Sequence, residues 1–84
     1  MRLGTLEGSI NDSVRKAILE KLPDADVSVN GQGGHFTIRV VSAEFAGKTP
    51  VVKQRLVLSA IAHLMSGPDA PVHAIDRLET LLPG

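Results

Sequence analysis

Two alternating segments separated by a glycine-rich turn constrain this chain more than any other feature. Residues 26–30 (DVSVN) place Val27 and Val29 on one face, and residues 35–41 (HFTIRVV) alternate in the same way. Alternation with a period of two is typical of a strand that is buried on one face. Residues 31–34 (GQGG) are rich in glycine, which accepts the positive φ of a tight turn. The pattern predicts a β-hairpin with one apolar face that needs a cover.

An amphipathic helix is predicted ahead of the hairpin, over residues 9–22. Apolar residues recur there at helical spacing, and Pro23 ends the helix because it cannot continue the hydrogen-bond ladder. Ser9 is predicted as the N-cap, with Asp12 as an acid in the first turn. Residues 1–8, which are small or polar, are expected to form a loose arm.

A second helix is predicted over residues 50–65, followed by a third strand over residues 72–78. Thr49 is expected to cap this helix, and Pro50 fits its first turn, where the missing N–H costs nothing. The main apolar stripe of this helix consists of Val57, Leu58, Ile61, Leu64 and Met65. The tail after residue 78 is expected to be short and frayed.

The predicted order of elements is α-β-β-α-β. A right-handed crossover through the second helix places the third strand parallel to a neighbour, most simply the second strand. With 84 residues there is room for one domain, residues 1–84. The predicted fold is therefore α+β, with a three-stranded mixed sheet covered by helices on one face.

The composition excludes several classes of function. The chain has no Cys, so disulfide scaffolds, thiolate catalysis and self-sufficient thiolate metal sites are excluded. Nine Lys and Arg balance nine Asp and Glu, whereas strong nucleic-acid binders are usually basic. The N-terminal MRLGTLEGSINDSV does not resemble a signal peptide, and no apolar run is long enough to span a membrane. A cytoplasmic protein is expected.

Two histidines stand at the predicted starts of neighbouring strands. His35 begins the second strand and His73 the third, so parallel pairing places both at the same edge of the sheet. Because adjacent strands are about 4.8 Å apart, two imidazoles there can approach one metal ion or cluster. The alternative is that each histidine is a polar strand-end residue with local hydrogen bonds. Spacing alone leaves both interpretations open.

Other polar residues offer weaker candidates. Ser59 and His63 are four residues apart on one helix face, but no nucleophile elbow or oxyanion loop accompanies them. A modest basic patch around the start of the second helix consists of Arg39, Lys48, Lys53 and Arg55. A solvated face accounts for these basic residues better, because Glu44 lies in the same region and the net charge is zero.

Four short segments, taken together, resemble the BolA family, and most closely its shorter bacterial branch. They are GQGGHF at 31–36, VSAEFAGK at 41–48, KQR at 53–55 and VHA at 72–74. The resemblance covers about residues 9–78. It implies a class II KH-like fold, which agrees with the element order predicted from periodicity.

The resemblance implies a partner protein rather than an enzyme. BolA-like proteins pair with monothiol glutaredoxins and share a bridging 2Fe–2S cluster, in iron–sulfur trafficking or iron sensing. His73 matches the family's C-terminal histidine ligand. A second ligand, His or Cys, comes from the loop between the first two strands. The position that carries Cys in some relatives aligns with Gln32, and the imidazole nearest to it is that of His35.

The donor inventory agrees with a shared cluster. A 2Fe–2S cluster needs four ligands, and Cys normally supplies most of them. This chain has three His and no Cys, so thiolates must come from a partner, such as a glutaredoxin Cys and glutathione. Imidazole titrates close to neutral pH, and protonation releases it from a metal, which suits a transferable cluster.

The resemblance also carries a second hypothesis, because BolA relatives are described as transcriptional regulators in stress responses. A KH-like domain that binds DNA would use the basic residues Lys48, Lys53 and Arg55. A KH domain normally grips the nucleic-acid backbone with a Gly-x-x-Gly loop, and residues 45–48 (FAGK) do not have that form. Whether the isolated chain forms a homodimer is left open.

Overall fold

The predicted order of elements is confirmed. A computed structural model describes residues 6–84, with side chains described from Ile10 onward. The elements are α1 (Leu6–Lys21), β1 (Asp26–Gln32), β2 (His35–Val41), α2 (Pro50–Met65) and β3 (Ala74–Leu81). A short 3-10 turn, Ala43–Phe45, connects β2 to α2. No helix within residues 6–84 is both long and apolar enough to cross a bilayer.

The sheet is mixed, with the strand order β1-β2-β3. β1 and β2 form the antiparallel hairpin, and β2 and β3 are parallel, as the right-handed crossover predicted. The β2–β3 register contains one irregularity. Phe36 pairs with Ile75 but Thr37 pairs with Arg77, so Asp76 is an extra residue in β3, a β-bulge.

The core lies between the helices and one face of the sheet. β2 alternates strictly, with Phe36, Ile38 and Val40 buried and the intervening side chains exposed. The other fully or almost fully buried apolar residues are Val14, Ala17, Ile18, Leu22, Val27, Phe45, Val57, Ile61 and Val72. The expectation that the helices cover one face is confirmed, because the opposite face of β2 is polar and solvent-exposed.

The hairpin turn has two residues, Gly33 and Gly34, with φ values of 63° and 83°. Positive φ at both central positions is the requirement of a type I′ turn, which glycine meets without strain. β1 therefore continues to Gln32, two residues beyond the predicted end. Its last two residues continue the pairing with β2, and Gly31 pairs with Phe36 so closely that a Cβ on Gly31 would overlap the Phe36 ring.

The start of α1 differs from the prediction. The helix begins at Leu6, so Ser9 lies inside it and is not the N-cap, and residues 6–8 are helical rather than part of a loose arm. Residues 1–5 of the predicted arm lie outside the described residues. Gly8 is the reason for the error: a glycine inside a helix costs about 1 kcal/mol but does not end it. Packing of α1 against β1 and α2 outweighs that cost.

The bounds of β3 also differ from the prediction. Val72 and His73 precede the strand. The N–H of Val72 donates to the carbonyl oxygen of Leu64 in the last turn of α2, and that of His73 donates to the carbonyl oxygen of Gly34 in the hairpin turn. At the other end, Glu79–Leu81 was expected to be frayed but pairs with Arg39–Val41. The N–H of Ser42 then donates to the carbonyl oxygen of Leu81 at 2.9 Å. Available partners on β2 thus extend the strand beyond its sequence pattern.

A polar network anchors the connection between β2 and α2. Ser42 is fully buried, and its hydroxyl donates to Asp24 Oδ1 at 2.9 Å and accepts from the N–H of Glu44 at 3.1 Å. The N–H of Ala43 donates to Asp24 Oδ2 at 2.9 Å. The N–H of Ala43, and then the Ser42 hydroxyl, hold the pKa of Asp24 below its usual range. These contacts join the α1–β1 connection to the segment that leads into α2.

Candidate functional site

A cleft opens where the hairpin turn meets the loop before β3. It has a volume of about 590 Å³, and its walls come from Gln32, Gly33 and Gly34 on one side and from residues 68–71 on the other. The exposed His73 lies at its rim, and Ile10 and Phe36 also line it. The turn chemistry of two glycines and the Pro-rich loop therefore place an imidazole next to an open cavity.

His73 has an exposed side chain on an anchored backbone. Its N–H donates to the carbonyl oxygen of Gly34 at 2.8 Å, and the N–H of Ala74 donates to the same oxygen at 3.0 Å. The His73 ring lies over Gly34, so that a Cβ on Gly34 would stand 2.7 Å from Cγ of His73. An exposed ring held from its backbone is available to a second molecule with little reorganisation.

His35 begins β2, as predicted, and pairs with Ala74. Its Nδ1 lies 3.2 Å from Asp76 Oδ1, and both side chains are exposed. His35 lines a second depression of about 560 Å³, with Asn30, Gln32 and Asp76 among its walls. His35 and His73 thus flank the hairpin turn, and Gln32 lines both cavities.

The structure brings the two predicted histidine ligands to the same end of the sheet, but into different cavities. Within residues 6–84 no group of three or more His, Cys, Asp or Glu side chains is arranged to hold a metal ion. What the arrangement offers is one or two imidazole nitrogens at an open surface. A metal or cluster held there would need further donors from another molecule.

The candidate basic residues are spread apart. Lys48 Nζ donates to the carbonyl oxygen of Glu44 at 2.7 Å, ahead of α2. Lys53 and Arg55 are two positions apart in α2, and a helix turns about 200° over that step, so they project in different directions. The three cations do not line one groove.

Ser59 and His63 lie on α2, facing the groove between the two helices. The Ser59 hydroxyl donates to the carbonyl oxygen of Leu56 at 2.9 Å and accepts from Lys21 Nζ at 2.9 Å. His63 lines the same groove as Lys21 and Ser59. These contacts give Ser59 a role in linking α2 to the end of α1.

A match to a known family decides what kind of protein this is. Residues 10–82 match a protein-family model described as BolA-like protein. The chain belongs to the BolA family. The match includes both strands of the hairpin, α2, β3, and the two histidines His35 and His73.

Individual BolA relatives cover most of this chain. This chain is 35% identical over 66 residues to a protein from Acinetobacter guillouiae described as an uncharacterized protein in the rpoN-murA intergenic region. The aligned segment covers 77% of this chain and 76% of that protein. A BolA homologue from Coxiella burnetii superposes with a TM-score of 0.71 at 28% identity, over 96% of this chain and 94% of the other. A Bol-like protein from Babesia bovis gives 0.68 at 32% identity, over 88% and 85%.

The side chains of this BolA-family chain fit some of the ligand positions of an iron–sulfur cluster, but not all of them. Two imidazoles flank the turn, and the chain has no Cys to complete a set of four ligands. His73 combines exposure with a cleft at its side, and His35 has one ring nitrogen, Nδ1, beside a carboxylate. The residues are therefore compatible with ligating a cluster whose sulfur donors belong to a partner.

Two residues of this site were missed by the sequence analysis: Gly34, beneath the His73 ring, and Asp76, beside His35. A sequence signal for Asp76 does exist. Ile75 and Leu78 are both packed against the core although they are three positions apart, which breaks the period of two and indicates a bulge. No comparable signal marks the contact of Gly34 with His73, because the two residues are 39 positions apart in the chain.

Proposed function

We propose that this chain is an adaptor that pairs with a monothiol glutaredoxin around a bridging 2Fe–2S cluster, in iron–sulfur trafficking or iron homeostasis in the cytoplasm. The observation that carries the proposal is the exposed imidazole of His73, held by its backbone on Gly34 at the rim of a cleft. Membership of the BolA family supports the same class of function.

In this proposal the ligands are divided between two molecules. This chain contributes the imidazole of His73 and, as second ligand, that of His35. The partner contributes thiolates from its Cys and from glutathione, because this chain has none. The cluster is the cargo that passes between proteins. A neutral imidazole that loses its lone pair on protonation is a ligand that can be released, so the complex should weaken on acidification.

The proposal is tested by adding the purified chain to a cluster-loaded monothiol glutaredoxin with glutathione. We expect the visible absorption and circular dichroism spectra to change on mixing, because an imidazole nitrogen enters the cluster's ligand set. His73→Ala should abolish the change. His63→Ala is the matched control, because it removes another exposed imidazole from α2, in the groove between the helices.

A spectrum that does not change with the wild-type chain contradicts the proposal, as does a change that survives His73→Ala. The nucleic-acid alternative has less support, since the net charge is zero and Lys48, Lys53 and Arg55 project apart. DNA binding that falls steeply with salt and is lost on Lys53→Ala and Arg55→Ala would favour that alternative.

A further inference from the structure

The bulge in β3 places Asp76 beside His35. In a regular register Asp76 would stand opposite Thr37, but Arg77 takes that place. Asp76 is the inserted residue, and its carboxylate turns back along the strand to reach the ring of His35. β-Bulges commonly re-aim a side chain next to a functional site.

The neighbouring arginines pair with Glu79 rather than with Asp76. Arg77 binds Glu79 at 3.2 Å, and Arg39 lies 3.9 Å from the other oxygen of the same carboxylate. Both arginines on this face of the sheet are thus paired with Glu79. The His35 ring is the partner that the structure shows for the Asp76 carboxylate, at 3.2 Å.

The contact favours one tautomer of the neutral His35 ring. An ionised carboxylate can only accept a hydrogen bond, so the hydrogen between the two atoms must sit on Nδ1. A neutral ring with its proton on Nδ1 has its lone pair on Nε2. Carboxylates that bind a histidine in this way orient the ring and raise the basicity of the free nitrogen in many metal sites.

We propose that Asp76 is a positioning residue for His35, which directs Nε2 of the ring toward iron. This inference rests on the proposed function, in which His35 is the second ligand. It adds a reason for the bulge: the irregular register brings a carboxylate to the one histidine that begins β2. Partners of this kind typically change metal affinity about 10–100-fold when they are removed.

The first experiment needs no cluster. Long-range ¹H–¹⁵N NMR of the isolated chain at about pH 8, where imidazoles are neutral, reports the tautomer of each histidine ring. We expect the proton of His35 to be mainly on Nδ1 in the wild type and to move toward Nε2 in Asp76→Ala. Asp76→Asn, which keeps an oxygen acceptor, should retain part of the wild-type preference. Glu44→Gln is the control, because it removes an exposed carboxylate from the segment before α2 and leaves the pairing of Arg39 and Arg77 with Glu79 intact, so it should leave His35 unchanged.

The second experiment measures how readily the heterocomplex with a cluster-loaded glutaredoxin loses its cluster to a chelator. Asp76→Ala should weaken cluster retention about 10–100-fold. In a His35→Ala background the same substitution should have no further effect, because Asp76 acts through His35.

The outcomes distinguish the positioning role of Asp76 from the proposed function. A His35 tautomer that does not respond to Asp76→Ala overturns the positioning role, even if the wild-type complex forms. If the tautomer responds to Asp76→Ala but cluster retention is unchanged, the positioning role is overturned as well. If the wild-type chain forms no cluster complex, the proposed function itself is overturned. A His35 tautomer that still responds to Asp76→Ala then shows that the proposed function has failed and not the contact between Asp76 and His35.

Discussion

The ring of His73 lies against Gly34, and the N–H of His73 donates to the Gly34 carbonyl oxygen at 2.8 Å. Residue 34 must therefore be glycine for two separate reasons. Its φ of 83° is strained for any side chain with a Cβ, and the space where a Cβ would stand is taken by the His73 ring. The neighbouring Gly33 meets only the first condition, because nothing lies within 4 Å of its Cβ position.

This difference gives a prediction with a built-in control. Gly33→Ala should lower the free energy of unfolding by about 1–2 kcal/mol, because it strains the backbone alone. Gly34→Ala should cost more, since the added Cβ would also stand 2.7 Å from Cγ of His73 and force that ring to shift. Urea unfolding measures both losses, and NMR shifts of the His73 ring should move only in Gly34→Ala. Equal losses with an unmoved His73 ring would show that the contact is unimportant.

A pair of valines on α2 tests the assignment of the core face. Val57 is fully buried and Val52 is 41% exposed on the same helix. Val57→Ala should lower the free energy of unfolding by about 2 kcal/mol, because it leaves a cavity in the core. Val52→Ala should change it by less than about 0.5 kcal/mol. Similar losses in denaturant unfolding would mean that α2 is rotated about its axis.

The buried hydroxyl of Ser42 is expected to contribute to stability. Ser42→Ala removes the donor to Asp24 and the acceptor for the N–H of Glu44. We expect a loss of about 1–2 kcal/mol in the free energy of unfolding. Ser28→Ala, an exposed position on β1, should be near neutral. Equal thermal stability of the two variants would contradict this role of the network.

The same network predicts a dependence of stability on acid. The N–H of Ala43 and the Ser42 hydroxyl lower the pKa of folded Asp24 below the usual 3.8. Because the folded state favours the charged form, this contribution is fully present above the unfolded pKa and is lost as pH falls through the folded pKa. The wild type should therefore exceed Asp24→Asn in unfolding free energy at about pH 6, and the gap should narrow below about pH 4. A gap that is independent of pH would exclude this mechanism.

Local patterns were sufficient for most of the fold. The alternation of residues 35–41, the turn glycines, and Thr49 with Pro50 are each encoded within a few residues, so the hairpin and the start of α2 were predicted correctly. The errors in the predicted element bounds lie where contacts with residues distant in the sequence decide whether the helix or strand continues. Gly8 suggested a helix start that packing overrides, and the last residues of β3 form a strand because β2 supplies their hydrogen-bond partners.

The sequence by itself determined the order of the elements, the apolar faces, the lack of thiolate donors and the position of the histidines near two strand starts. Only the tertiary structure decided what surrounds those histidines: Gly34 beneath His73, and Asp76 turned by a bulge toward His35. The physical reason is range. Periodicity and turn chemistry act between residues a few positions apart, whereas both of these contacts join residues about forty positions apart. The parallel pairing of β2 with β3, and the hydrogen bonds from His73 and Ala74 to the turn at Gly34, bring them together.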